Sequence, residues 1–207
     1  VQNLSLGQLF MDKCTDTGFY HCNSHNATGS SVDGYYITDS TPETYTYTGC
    51  YFKDITAHHC DNGLNVQRVN DVTIRDYNGY SNTTAGLVLF STTANNDYPI
   101  TLNNITCRNN TGNGITATTI AAITANNITL LNNGGIGLAL ATVIDSIFAN
   151  LNIQDNTGDG IDLSTVCIDN VFTGGLILNQ GGLGIQENAT CNRNSFTGIR
   201  IDLNTGG

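Results

Sequence analysis

The chain has 207 residues, enough for one domain with a sizeable core and not obviously two. Only 12 % of them are charged, 7 basic against 17 acidic for a net charge of −10, which argues against nucleic acid or an anionic membrane surface as partner. No apolar run approaches the length of a spanning helix, so no membrane insertion is expected.

Asn, Thr and Gly dominate in place of helix formers, which favours turns and strands. The chain starts at Val1 rather than Met, as expected where something upstream has been removed or left out. Seven cysteines are many for a cytosolic protein and ordinary for a secreted one. Their odd number leaves at least one thiol free or paired outside the chain. Sequons at Asn3, Asn26, Asn82, Asn104, Asn109, Asn127 and Asn188 point the same way. Chance would supply about five in a chain so rich in Asn and Thr, so their placement carries more than their number. The expected location is extracellular or at the cell surface.

Residues 1–49 read as irregular N-terminal rungs or a cap, with residues 4–14 the one weak candidate for a capping amphipathic helix. All nine tyrosines, from Tyr20 to Tyr98, fall in the first half of the chain. They would either stack on sugar rings or fill wide loops. His21, Cys22, His25, His58, His59 and Cys60 suggest zinc, but neither spacing matches a structural Cys/His module. No metal or cofactor is expected.

From residue 50 the chain repeats. "NITCRNNTGNGIT" (104–116), "NITLLNNGGIGLA" (127–139) and "NLNIQDNTGDGID" (150–162) align without a gap at a spacing of 23. Gly63, Gly86, Gly114, Gly137, Gly160 and Gly184 mark the turns. Read down the copies, Ile105, Ile128 and Leu151 form one apolar column, and Cys107, Leu130 and Ile153 a second. Ile115, Leu138, Ile161 and Ile185 form a third, Ala117, Leu140 and Leu163 a fourth, and Ile120, Val143 and Val166 a fifth. Thr, Asn, Asp and Ala mostly separate the paired columns, the period-2 pattern of strands with one buried face.

A period near 23, short strands and Asn/Gly corners predict an all-β solenoid of about three strands per turn. This pattern resembles the right-handed parallel β-helix family of pectate lyases, polygalacturonases and phage tailspikes, closely over 50–207 and loosely over 1–49. The expected fold is one single-stranded right-handed parallel β-helix domain over 1–207, with about 23 residues per rung and roughly seven to eight rungs.

The stretch "QDNTGDGIDL" (154–163) sets Asp155, Asp159 and Asp162 close together. The family resemblance implies that an enzyme of this fold would carry acids on adjacent turns with His and basic partners, or aspartates holding calcium beside a Lys or Arg base. The neighbouring rungs here offer Asn, Gly, Ala and Gln. Asp155 shares a column with Asn109 and Asn132, next to a column of Asn110, Asn133 and Asn156, and Asp159 a slot with Asn113 and Ile136, which favours a structural corner with stacked Asn ladders. Only Asp162 is left on an outward strand position.

Cys167 and Cys191 each follow a turn glycine by seven residues, so they stack on successive rungs and are the favoured disulfide. Cys14 with Cys22, Cys50 with Cys60, and Cys22 with Cys60 are alternatives that spacing does not separate. A stacked coil exposes unpaired edges at both ends, which suggests end-to-end self-association. The leading expectation is a secreted, N-glycosylated structural or adhesive protein, a filament subunit where its ends stack. The alternatives are a polysaccharide-acting lyase, hydrolase or epimerase using Asp155, Asp159 and Asp162, and a carbohydrate-binding module.

Overall fold

The computed structural model describes residues 4–5, 9–12, 16–26, 32–38, 49–68, 71–91 and 99–206. Every strand pair in them is parallel, and no helix occurs among them. The chain winds through about seven turns of about 24 residues. It builds a 10-stranded sheet and an 8-stranded sheet in which each strand pairs with the equivalent strand one turn away. Leu4–Ser5 and Leu9–Asp12, inside the expected capping helix, are strands of these sheets.

The strands of the larger sheet bend in the middle. Ile100–Arg108, for example, carries Asn104 at φ 56°, and the same left-handed position recurs at Asp54, Asp76, Asn127 and Asn150. Asn and Asp tolerate this backbone better than other side chains, so the sequence marks the bend. Each turn thus has three faces: the two halves of the long strand, here faces 1 and 2, and the strand of the smaller sheet, face 3. Alternate residues point inward, and the first four expected apolar columns are paired in register.

The fifth column departs from the reading at a constant 23. Thr165 adopts φ 63°, Val166 is 38 % exposed, and Ile144 pairs with Ile168. The turn is one residue longer here, so Cys167 and then Cys191 take the buried places expected to start with Val166.

The corner between faces 2 and 3 is a hydrogen-bonded stack. Asn82, Asn110, Asn133, Asn156 and Gln180 are buried. Each Nδ2 donates to the side-chain oxygen one rung on, at 3.0 Å from Asn82, 2.9 Å from Asn110, 2.9 Å from Asn133 and 3.0 Å from Asn156. The same oxygens accept the backbone N–H of the amide residue one rung before, as from Asn110 to Asn133 at 3.2 Å, and Nδ2 also reaches a strand carbonyl, as from Asn133 to Cys107 at 3.1 Å. One amide side chain per turn therefore satisfies several buried backbone groups, as buried polar groups require. The preceding column, Asn109, Asn132, Asp155 and Asn179, is exposed and left-handed. The turn glycines act by close approach rather than by an unusual φ. A Cβ on Gly137 would lie 2.7 Å from the Gly160 carbonyl and 2.5 Å from Ile153.

Candidate functional site

The three aspartates of 154–163 do not form one cluster. Asp155 accepts a hydrogen bond from Asn179 Nδ2 at 2.6 Å on the exposed corner. Asp159 accepts the Leu183 N–H at 2.6 Å, the role that Asn113 fills for Ile136 at 2.8 Å. Asp162 lies half-buried on face 3 between Ala139 and Gln186. Burial, and then the charge of Asp159, raises its pKa from the ordinary aspartate value. Two of the acids thus serve the turn, and the third has only Asp159 as an acidic influence.

The other candidates separate by burial. Asn82 is fully buried in the amide ladder, donating to Asn110 at 3.0 Å and to the Ala57 carbonyl at 3.4 Å, so it cannot serve as a glycan acceptor. Asn26, Asn104, Asn109, Asn127 and Asn188 are exposed. Asn3 and Cys14 lie outside the described residues.

The expected Cys167–Cys191 disulfide is not formed. Both side chains turn toward the preceding rung: Cys191 donates to the Leu163 and Thr165 carbonyls at 3.3 Å, and Cys167 to the Leu140 carbonyl at 3.5 Å. In-register strands point their Cβ atoms the same way, and besides these carbonyl contacts the Cys191 sulfur accepts the Cys167 N–H at 3.3 Å. Burial pushes the Cys167 thiol up to about 11. Cys50 is disulfide-bonded, but not to Cys60, whose thiol donates to the His58 carbonyl at 3.3 Å. Cys22 carries a free thiol, which excludes its expected bridges to Cys14 and Cys60.

Tyr35 and Tyr77 are core residues, their hydroxyls donating to the Thr56 carbonyl at 3.2 Å and the Gly86 carbonyl at 2.7 Å. Tyr80 is different. It belongs to the outward column of face 2, where His25, His58, Tyr80 and Arg108 pair in register on four successive rungs. The His25 and His58 rings stack at 5.3 Å, the His58 and Tyr80 rings at 4.7 Å, and the Arg108 guanidinium lies 4.5 Å from the Tyr80 centroid. His59 closes on the stack from the corner, with Nδ1 2.7 Å from His58 Nδ1. Burial, then His59 and His25, lowers the His58 pKa, so its imidazole is neutral at pH 7.

Because the inner rings cover one another's faces, this strip presents ring edges. Imidazole and phenol groups recur at the rung spacing of about 4.8 Å, ending in a guanidinium. On face 1 of the same rungs stand Tyr20, Lys53 and Arg75, paired in one column, with Tyr20 51 % exposed and beside Tyr51 at 5.5 Å. Asp54 and Asp76 occupy the bend between the faces, engaged by His21 at 3.2 Å and Asn104 at 2.8 Å. In the remaining rungs the same outward column holds Leu131, Gln154, Leu178 and Asp202. The sequence named the histidines and tyrosines, but as a doubtful zinc set and an undivided group. Their irregular steps along the chain concealed the column.

No protein-family model matches the sequence, and no curated protein matches it. Among solved structures, the periplasmic alginate epimerase AlgG superposes with a TM-score of 0.57 at 12 % identity, over 89 % of this chain and 50 % of the epimerase. The enzymatically active domain of tailspike protein 2 from bacteriophage CBA120 gives 0.56 at 13 % identity, over 97 % of this chain and 32 % of the tailspike. The chain therefore spans half the length of the first and about a third of the second. Likeness at such identity concerns fold alone, and with the winding described above it settles the architecture: the chain is a right-handed parallel β-helix.

Proposed function

We propose that this β-helix binds an acidic polysaccharide along face 2 of its N-terminal half, outside the cytoplasm. The observation that carries the reading is the stack of His25, His58, Tyr80 and Arg108. It offers hydrogen-bonding edges at a regular spacing along the helix axis, and an extended polymer with hydroxyls and carboxylates suits such a row. Arg108, Lys53 and Arg75 supply local positive charge on a protein of net charge −10. The epimerase with the same fold is named for alginate, an acidic polysaccharide, which supports the reading by analogy. Five exposed sequons and the disulfide at Cys50 support the location.

The test is affinity electrophoresis in gels containing alginate, polygalacturonate or a neutral glucan. Retardation by an acidic polymer, relieved in Arg108→Gln, is the expected result. No retardation by either acidic polymer, or full retardation of Arg108→Gln, would overturn the proposal. His58 favours a second reading as well, action on the bound polymer by proton transfer. A neutral imidazole one rung from the Tyr80 phenol is suited to remove and return a proton of the sugar ring bound against it. Solvent deuterium entering the polymer, and lost with His58→Asn, is the expected signature. Wild-type protein that leaves the polymer unlabelled would confine the function to binding.

A further inference from the structure

The contact between His58 and His59 follows from the backbone. Adjacent residues on a strand point to opposite sides, yet these two Nδ1 atoms lie 2.7 Å apart. His59 occupies the left-handed corner, φ 55°, where other rungs place Asn109, Asn132 and Asp155. The bend turns its side chain back toward that of His58. Two nitrogens at this distance cannot both carry a proton toward each other. At most one does, and the other presents its lone pair.

Two converging imidazoles are also a chelate. With metal–nitrogen bonds of about 2.0 Å, nitrogens at adjacent corners of a square lie about 2.8 Å apart, and at corners of a tetrahedron about 3.3 Å. The observed separation matches the square. We propose that His58 and His59 bind a divalent cation of the copper(II) or nickel(II) type, each through Nδ1, the metal displacing the proton they share. Among the described residues no set of three or more His, Cys, Asp or Glu side chains converges on a metal. The remaining coordination positions therefore belong to solvent or to an oxygen ligand. The stack of His25, His58 and Tyr80 fixes the His58 ring, as partners outside the coordination sphere commonly do. The site shares His58 with the strip proposed to bind polysaccharide, but its assignment rests on the imidazole pair and not on that reading.

The experiment titrates the whole chain with copper(II), read by paramagnetic resonance for two-nitrogen hyperfine coupling. Calorimetry with nickel(II), which does not oxidise thiols, and with zinc(II) accompanies it. One equivalent of two-nitrogen copper is expected, bound more tightly than zinc and released in acid as the imidazoles protonate. His59→Asn, which suits the left-handed corner, and His58→Tyr, which keeps a ring in the stack, each lose that equivalent, and His25→Gln keeps it. No such equivalent in the wild type, its retention in His59→Asn or His58→Tyr, or tighter binding of zinc than copper would overturn the proposal.

Discussion

The two halves of this β-helix use the same turn for different ends. From Asn104 onward, most rungs repeat one formula: an Asn or Gly at the bend, an exposed left-handed Asn or Asp at the corner, then a buried amide that ties the rung to its neighbours. Between His25 and Arg108 the bend carries Asp54 and Asp76, the corner His59 and Ser81, and the outward column before the corner His, Tyr and Arg. Where His59 stands, the later rungs have Asn109, Asn132 and Asp155. The N-terminal half has exchanged regularity for outward chemistry, and a solenoid tolerates this because each rung needs only its neighbours to hold register.

The comparison breaks most severely at the ladder. Asn133→Ala leaves the Asn110 N–H and Nδ2 without the oxygen they share. A loss of roughly 2–5 kcal/mol in chemical denaturation is expected for buried donors stranded in this way. Gly137→Ala should rank next, at about 1–3 kcal/mol, because its Cβ meets the Gly160 backbone and Ile153. If these variants denature like wild type, the ladder does not hold the C-terminal half together.

Tyr80→Ala sharpens the contrast from the other side. It removes one ring contact and the support of Arg108, with an expected stability cost of about 0.5–1.5 kcal/mol. Acidic-polymer binding in the same preparation should fall far more, and Asn133→Ala, while folded, should bind as wild type.

The smallest expected effect is at Asp162. Its raised pKa means that the ionised form costs folding stability. That cost is full above the folded-state pKa and absent below the unfolded one. Asp162→Asn should therefore stabilise slightly at neutral pH and give no gain in acid, as measured by denaturation midpoints at the two pH values.

Much of this was legible in the sequence. The columns through Ile105, Cys107, Ile115 and Ala117, and the ladder through Asn110, Asn133 and Asn156, follow from a gapless repeat, because parallel in-register pairing makes equal spacing in sequence equal height in space. The reading failed where spacing changed. One added residue near Thr165 replaced Val166 by Cys167 in the core. Asn82, 28 residues before Asn110, looked like a surface sequon and is a buried rung of the ladder.

The sequence by itself determined the solenoid, its period and its amide corner, since each depends on local pattern and nearest-neighbour stacking. Only the tertiary structure decided which outward residues meet. His25, His58, Tyr80 and Arg108 are separated by unequal stretches of chain, and strand pairing, not count, brings them to one column. The same holds for the stacked thiols, whose orientation toward backbone carbonyls is a matter of Cβ direction that no spacing records.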